Sequence, residues 1–254
     1  MDVTPTSIVA EQAELPTADV LGVKVSTLDL EATVRRVDDF LRTESTHAIV
    51  TADSSGFVLA QSNDALLQLY KSADLVTADS AGVVWAVRKL TGQRISRVSG
   101  VDLAFQICRL ASLKGYRVFL LGAQPGIADR AAERLRLQHP GIQIVGTRHG
   151  YFPVEDDELV AAEIAPLKPD VLLVAMGIPR QEMFISRTAD IIRAKVSMGV
   201  GGSLDVFSGK VRRAPRLVRR LKLEWVWRLL QNPGKVRKVA LLPRFVRLVL
   251  RYGR

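Results

Sequence analysis

A short apolar run between two turn signals constrains the fold of this chain more than any other feature. Residues 171–175 are all apolar, with Pro169-Asp170 before them and Gly177-Ile178-Pro179 after them. A run of this length with such borders is typical of a strand buried on both faces of a sheet. The proline suits the first position of a helix, so Arg180 and Gln181 stand at the carboxyl end of a central strand, where open α/β sheets bind ligands. A plain connection with solvated polar residues would give the same pattern.

Apolar runs and amphipathic segments alternate along most of the chain, which predicts strands alternating with helices. The fold class is therefore α/β, with a Rossmann-like, mainly parallel sheet, helices on both faces and a basic C-terminal helical appendage. We divide the chain into a disordered leader (1–18), the core (19–211) and the appendage (212–254). The predicted strands are a short edge strand at 21–25 and runs at 47–51, 74–78, 118–121, 142–146, 171–175 and 194–198. The predicted helices are 28–42, 57–72, 103–114, 126–138 and 157–167, with one more after Asp79 and one after Pro179. Asp102 is the predicted cap of the helix at 103–114.

The composition indicates a globular protein of a reducing compartment. Hydrophobic residues make up 48% of the 254 residues and charged residues 24%, which argues against disorder. The single cysteine, Cys108, excludes a disulfide framework and a cysteine-cluster metal site. No apolar run approaches the roughly 18 residues of a spanning helix, and the first 17 residues carry acids but no Lys or Arg. We therefore expect a cytoplasmic protein.

Positive charge is concentrated at the C-terminal end. The net charge is +10, yet residues 212–254 contain fourteen Lys or Arg and one acid, Glu224, so the rest of the chain is slightly acidic. Such asymmetry indicates an acidic partner, either a nucleic acid or an anionic membrane surface.

The same segment is also amphipathic. Apolar residues recur every four positions from Leu217 to Leu229, and a second segment from Pro243 separates arginines from apolar residues. A basic amphipathic helix with interfacial aromatics favours an anionic bilayer, whereas a nucleic-acid helix needs no apolar face. A helix packed on its own domain remains the third alternative.

Polar residues and glycines follow several predicted strands. Asp53 and Asp79 lie at strand ends, although an aspartate there is also a common helix N-cap. Three glycines within residues 199–202 allow a backbone to lie close to a phosphate, or form a tight turn. Gly122 and Gly126 lack the dinucleotide-binding spacing, and Gly209-Lys210 lacks the Ser or Thr of a P-loop.

Ten stretches in one continuous order, covering about residues 20–240, resemble the WecG/TagA/CpsF family of bacterial glycosyltransferases. Any one of them would be weak, but ten in order are specific. They are Thr51-Ala52-Asp53, Ala78-Asp79-Ser80-Ala81-Gly82, residues 97–102, residues 118–122, Gly150-Tyr151-Phe152, Pro169-Asp170, residues 177–182, residues 199–209, Arg213-Ala214-Pro215 and Leu223-Glu224-Trp225.

The resemblance implies an inverting transferase that moves a sugar from a UDP-sugar to a polyprenyl-diphosphate-linked acceptor in cell-surface polysaccharide biosynthesis. In the best-known members the donor is UDP-N-acetylmannosamine or its uronic acid, and the acceptor is GlcNAc-diphospho-undecaprenol. It implies a peripheral protein on the inner face of the cell membrane. The expected partners are the UDP-sugar, which is a co-substrate rather than a cofactor, the lipid-linked acceptor and the anionic membrane surface. We expect no nucleic acid, and a homo-oligomer stays open.

The resemblance also implies roles for individual residues. Asp79 matches the proposed general base, and a single displacement needs such a carboxylate to take the proton of the attacking hydroxyl. Arg97 matches a functional arginine near the site. The substrate-binding candidates are Thr51, Asp53, Gln181, Arg212, Arg213 and Arg228. The nucleotide-binding candidates are Gly122, Gly177, Gly199, Gly201, Gly202 and Asp205.

Two features of the chain bear on these roles. No D-x-D motif is present and the three histidines have no ligand spacing, so we expect no metal. The family's usual T-x-N reads Thr51-Ala52-Asp53 here, and an aspartate offers no amide donor, which leaves the donor sugar open.

Two other functions stay as alternatives. A nucleotide-dependent oxidoreductase is disfavoured by the absent dinucleotide fingerprint. A nucleic-acid-binding regulator would use the basic tail, whose aromatic residues could stack on bases.

Overall fold

A six-stranded, wholly parallel sheet forms the centre of the molecule. The structure is a computed structural model that describes residues 15–212, 214–215, 227 and 240–253. The strand order is β4-β3-β8-β7-β5-β6, and a separate antiparallel pair, β1 and β2, precedes it. The strands are β1 (Thr17–Val20), β2 (Val23–Ser26), β3 (His47–Ala52), β4 (Leu75–Ala78), β5 (Arg117–Gly122), β6 (Gln143–Arg148), β7 (Val171–Ala175) and β8 (Val196–Gly199).

Helices cover both faces of this sheet, as the α/β class predicted. One face carries α1, α5, α6 and α9, and the other carries the remaining helices. They are α1 (Leu30–Leu41), α2 (Ser54–Ala60), α3 (Asp64–Ser72), α4 (Ala81–Thr91), α5 (Gly100–Lys114), α6 (Ile127–Gln138), α7 (Asp157–Ile164), α8 (Arg180–Ile192), α9 (Ser203–Phe207) and α10 (Leu242–Tyr252). Short 3₁₀ turns at Val154–Asp156 and Ala165–Leu167 flank α7.

Strand β7 shows why apolar and polar residues do not alternate in the runs that form the central strands. Successive side chains of a strand point to opposite faces. Val171 and Leu173 therefore join the core beneath α5 and α6, while Leu172 and Val174 join the core beneath α7 and α8. All five residues of β7 are buried, which confirms the prediction of a strand buried on both faces.

The N-terminal segment differs from its prediction. The edge strand expected at 21–25 is instead the turn Leu21-Gly22 and the second strand of a hairpin, β1–β2. Valines of this hairpin, Val20 and Val23, are fully buried in the core that includes α4. Strand β1 begins at Thr17, inside the segment predicted as a leader, and residues 1–14 lie outside the described part.

Two predicted helices differ from the structure, and one helix of the structure was not predicted. The helix expected at 57–72 is two helices, because Asn63 begins α3 by accepting a hydrogen bond from the Leu66 N–H. Helix α5 begins at Gly100, so Asp102 lies within its first turn rather than capping it. The short helix α9 was not predicted.

The last helix, α10, packs on the domain itself. Phe245 and Val249 are fully buried against α2 and α4, and the side chain of Tyr252 bonds with Asp19 of β1. Helix α10 therefore buries the centre of its apolar face within the protein, while Leu242, Leu250 and Tyr252 stay exposed. Its arginines are exposed. Among the described residues, no helix combines the length and apolarity needed to span a bilayer.

A buried histidine ends α6. His139 packs against Phe105 at 4.7 Å between ring centroids and is 7% exposed. Burial lowers the pKa of His139, and nearby Arg109 lowers it further. The unfolded ring would take up a proton near its usual pKa of about 6.5. The buried ring therefore contributes stability above that pH, and this contribution is lost as the pH falls through the folded-state pKa.

We expect His139→Phe to reduce the acid sensitivity of the fold. Phenylalanine keeps the ring contact but cannot be protonated, so the fall in melting temperature between pH 7.5 and 5.5 should be smaller by a few degrees than in the unchanged protein. Thermal unfolding followed by circular dichroism checks this. An equal fall in both proteins would show that His139 does not link protonation to folding.

Candidate active site

The ends of β3 and β4 bring two aspartates side by side. Ala52 and Ala78 are paired in the parallel ladder, so Asp53 and Asp79 follow at the same edge of the sheet. The Asp79 N–H donates to the Ala52 carbonyl at 3.0 Å. The predicted general base therefore lies at the carboxyl edge of the sheet and is half-buried.

The Asp79 carboxylate does not cap its own helix. Ser80 does so, with its hydroxyl oxygen accepting from the Val83 N–H at 3.2 Å. Oδ1 of Asp79 instead accepts from the N–H of Gly100 at 2.9 Å, at the start of α5. The N-terminus of a helix stabilises an anion, so α5 both orients this carboxylate and favours its negative charge.

The loop before α5 runs along the end of β4. The Val98 N–H donates to the Ala78 carbonyl at 3.1 Å, which fixes the loop one residue after Arg97. Arg97 is half-buried beside the strand that carries Asp79. The structure thus brings both predicted catalytic residues to one side of the carboxyl edge.

Thr51 links β3 to the glycine turn after β8. Its hydroxyl donates to the Gly199 carbonyl at 2.9 Å. Gly100 packs directly on the same side chain, where a Cβ would lie 3.1 Å from the Thr51 Oγ1. Thr51 therefore joins Asp79 and the glycine turn in one contiguous site.

Asp53 acts as the N-cap of α2. Its Oδ1 accepts from the Gly56 N–H at 2.7 Å and from the Ser55 hydroxyl at 2.6 Å. Beneath this cap lies the buried hydroxyl of Tyr70, which has no hydrogen-bond partner among the described residues. Burial raises the pKa of Tyr70 well above its usual value, and the carboxylates of Glu182 and Asp53 raise it further. The Tyr70 hydroxyl therefore stays protonated and uncharged beneath the start of α2.

Gln181 joins the turns that follow β7 and β8. Its Oε1 accepts from the Gly177 N–H at 3.1 Å and from the Gly201 N–H at 3.0 Å, while Nε2 donates to Glu182 at 2.8 Å. The side chain is buried, at 2% exposure. A Cβ on Gly199 would overlap this amide, so a larger residue there would displace Gln181 from its bonds. The structure gives Gln181 bonds to the backbone where the resemblance implied a sugar contact.

The remaining nucleotide candidates lie along the same edge. Gly177 and Gly201 adopt positive φ angles of 79° and 50°, and Gly202 is exposed at the start of α9. Gly122 ends β5, and Asp205 lies in α9, 3.6 Å from the ammonium of Lys210.

Of the predicted tail arginines, the structure describes only Arg212. It is exposed, and its carbonyl accepts from the indole N–H of Trp227 at 3.1 Å. Arg213 and Arg228 lie outside the described residues. In the part of the chain that the structure covers, no cluster of three or more His, Cys, Asp or Glu could hold a metal.

Comparison with known protein families decides the identity of this α/β protein. The family described as "Glycosyl transferase WecG/TagA/CpsF family" matches residues 18–254. The chain belongs to that family. The enzyme is thus a glycosyltransferase, and this displaces the oxidoreductase and regulator alternatives.

Two curated relatives of this glycosyltransferase share the name N-acetylglucosaminyldiphosphoundecaprenol N-acetyl-beta-D-mannosaminyltransferase. The relative from Bacillus spizizenii is 40% identical over 207 residues, which cover 81% of this chain and 79% of the relative. A relative from Staphylococcus aureus is 34% identical over 240 residues, covering 94% of each.

Sequence reasoning missed the contacts that orient the glycosyltransferase site. The Gly100 bond to Asp79 spans 21 positions and the Gly201 bond to Gln181 spans 20, while the Gly177 bond to Gln181 spans four. Only the glycines themselves, within otherwise conventional turns, signalled a close approach.

We expect Gly122→Ala to damage the fold far more than Gly126→Ala. Gly122 has a φ of 125°, and a Cβ there would overlap the Ala175 carbonyl of β7. The substitution should lower the free energy of unfolding by about 3 kcal/mol. Gly126 has a φ of 78° but open space around it, so alanine should cost about 1 kcal/mol. Urea unfolding of the two variants measures the difference, and similar losses would contradict the close approach of β5 to β7.

Proposed function

We propose that this glycosyltransferase moves N-acetylmannosamine, its uronic acid or a related hexose from a UDP-sugar to GlcNAc-diphospho-undecaprenol in cell-surface polysaccharide biosynthesis. The observation that carries the proposal is the shared name of relatives that are 40% and 34% identical over most of the chain. The placement of Asp79 beside a glycine-rich edge supports it.

The proposed reaction is a single displacement with inversion. A hydroxyl oxygen of the acceptor sugar attacks the anomeric carbon as the bond from that carbon to the UDP oxygen breaks. Asp79 takes the hydroxyl proton, so the carboxylate must be ionised when the acceptor arrives. The Gly100 N–H bond to Oδ1 supports this role, because it holds the carboxylate at one angle.

The departing UDP carries the negative charge that develops in this reaction. We propose that backbone N–H groups of the turns after β7 and β8, together with Arg97 and the tail residues Arg212, Arg213 and Arg228, stabilise it. Asp205 and Gly122 would line the nucleotide end, and Thr51 and Asp53 the sugars. The mechanism proposed here needs no metal and no cofactor.

The proposed location is the inner face of the cell membrane, where the protein would bind peripherally. Arg244, Arg247 and Arg251 are exposed on α10, and anionic lipids attract such residues by about 1 kcal/mol each. Phe245 lies by Gly82 at the start of α4, and Gly253 lies by Leu90 near its end. Helix α10 therefore begins near the Asp79 edge, which suits delivery of a lipid-linked acceptor to that side.

A transfer assay tests the proposed reaction. The protein is incubated with synthetic GlcNAc-diphospho-lipid and a panel of UDP-sugars, and we expect transfer from UDP-N-acetylmannosamine or a close relative. Asp79→Asn should still bind UDP-sugar but lose turnover by about 10²-fold to 10⁴-fold, because the base is gone.

Asp74→Asn provides the matched control for this variant. Asp74 precedes β4, whereas Asp79 follows it, so the two substitutions change the same residue type at opposite ends of one strand. The control should keep its turnover per folded molecule. No transfer to any acceptor by the unchanged protein would refute the proposed function, and normal turnover of Asp79→Asn would refute the base.

Membrane binding has its own test. Replacing Arg244, Arg247 and Arg251 together by Glu should weaken binding to vesicles containing phosphatidylglycerol by at least about 100-fold at low salt, since three favourable charges of about 1 kcal/mol each are lost. The three side chains are exposed, so folding should be retained.

A triple replacement of Arg35, Lys114 and Arg130 by Glu makes the same change of net charge elsewhere on the exposed surface. If this control weakens vesicle binding equally, net charge rather than α10 is responsible.

A further inference from the structure

An ion cluster around the buried carboxylate of Asp157 lies beside the first turn of α8, which carries Gln181. The Asp157 side chain, at the start of α7, is 3% exposed. Both of its oxygens accept from the guanidinium of Arg180, and Oδ2 also accepts from Arg187 at 3.2 Å. One buried carboxylate therefore serves two arginines of the same helix, α8.

Two aromatic rings pack against the Arg180 guanidinium. The Arg180 guanidinium lies 5.1 Å from the ring centroid of Phe152 and 5.8 Å from that of Phe184. Phe152 belongs to the loop after β6, where the Gly150 N–H donates to the Ala123 carbonyl at 3.0 Å. Arg180 thus links the beginning of α8 to α7 through Asp157, and to the loop after β6 through Phe152.

The next residue along α8 is Gln181. Its backbone N–H donates to the Gly177 carbonyl at 2.9 Å, while its side chain accepts from the Gly177 and Gly201 N–H groups. All three bonds depend on the position of the first turn of α8, which Arg180 begins.

We propose that Arg180 and Asp157 are positioning residues, which act through Gln181 to hold the turns after β7 and β8 in their binding geometry. The consequence for UDP binding rests on the proposed function, whereas the effect on the turns does not. Neither residue needs to touch a substrate, since both act only through the position of Gln181.

Arg180→Met and Arg187→Met form a matched pair for the test. Each removes one arginine from the same carboxylate and leaves it the other, so both variants are expected to fold. They differ in place, because Arg180 opens the first turn of α8 and Arg187 lies two turns further along. Arg180→Lys keeps the positive charge but loses the bidentate contact with Asp157, so its effect on the glycine turns should lie between those of the two Met variants.

Amide hydrogen exchange by NMR measures the turns without any substrate. Exchange at Gly177 and Gly201 should be at least about tenfold faster in Arg180→Met and unchanged in Arg187→Met. Similar exchange at these glycines in the two variants would overturn the positioning role, and so would an acceleration confined to α7.

Calorimetric titration with UDP then tests the consequence. UDP affinity should fall about tenfold in Arg180→Met and stay the same in Arg187→Met. If the unchanged protein does not bind UDP, the proposed function fails. The hydrogen-exchange experiment still tests the positioning role, because it uses no substrate. Equal UDP affinity in both variants, despite faster exchange, would overturn the link between the turns and nucleotide binding.

Discussion

The buried amide of Gln181 connects the parts of the site that the sheet alone would leave separate. Burying an amide is unfavourable unless its polar atoms are bonded. Here Oε1 bonds to two backbone N–H groups and Nε2 to Glu182, so the amide is stable only while both glycine turns keep their places. A Cβ on Gly199 would overlap this amide and displace it from both turns. The coupling holds the carboxyl edge in one arrangement, which is the kind of preorganisation that the proposed stabilisation of a leaving group requires.

Much of the fold was predictable because buried parallel strands leave continuous apolar runs. Strands β3 to β8 lie where these runs predicted them, within a few residues. The strand order was not predictable, since it depends on which runs pair and not on their composition. The same limit applies to the site. Asp79 was identified by its place after a strand and by resemblance, but the Gly100 N–H that orients it comes from the first residue of α5, 21 positions later.

The C-terminal helix shows a different limit of sequence reasoning. Its alternation of arginines and apolar residues predicts an amphipathic helix, and α10 is one. An apolar face can be buried by lipid or by protein, and the same residues serve either purpose. Phe245 and Val249 fill a space above α2 and α4, so the choice was decided by the shape of the neighbouring helices. The three arginines remain exposed together with Leu242, Leu250 and Tyr252, so both charged and apolar side chains of α10 face outward.

Asp53 shows how a departure from a family motif can be structurally neutral. The cap of α2 requires an oxygen that accepts from the Gly56 N–H and the Ser55 hydroxyl. Aspartate and asparagine both supply such an oxygen and are comparable N-caps. The substitution therefore preserves the start of α2 and the position of the loop beside Asp79. The change therefore adds a negative charge beside Asp79, while the backbone that carries the side chain is held in the same way.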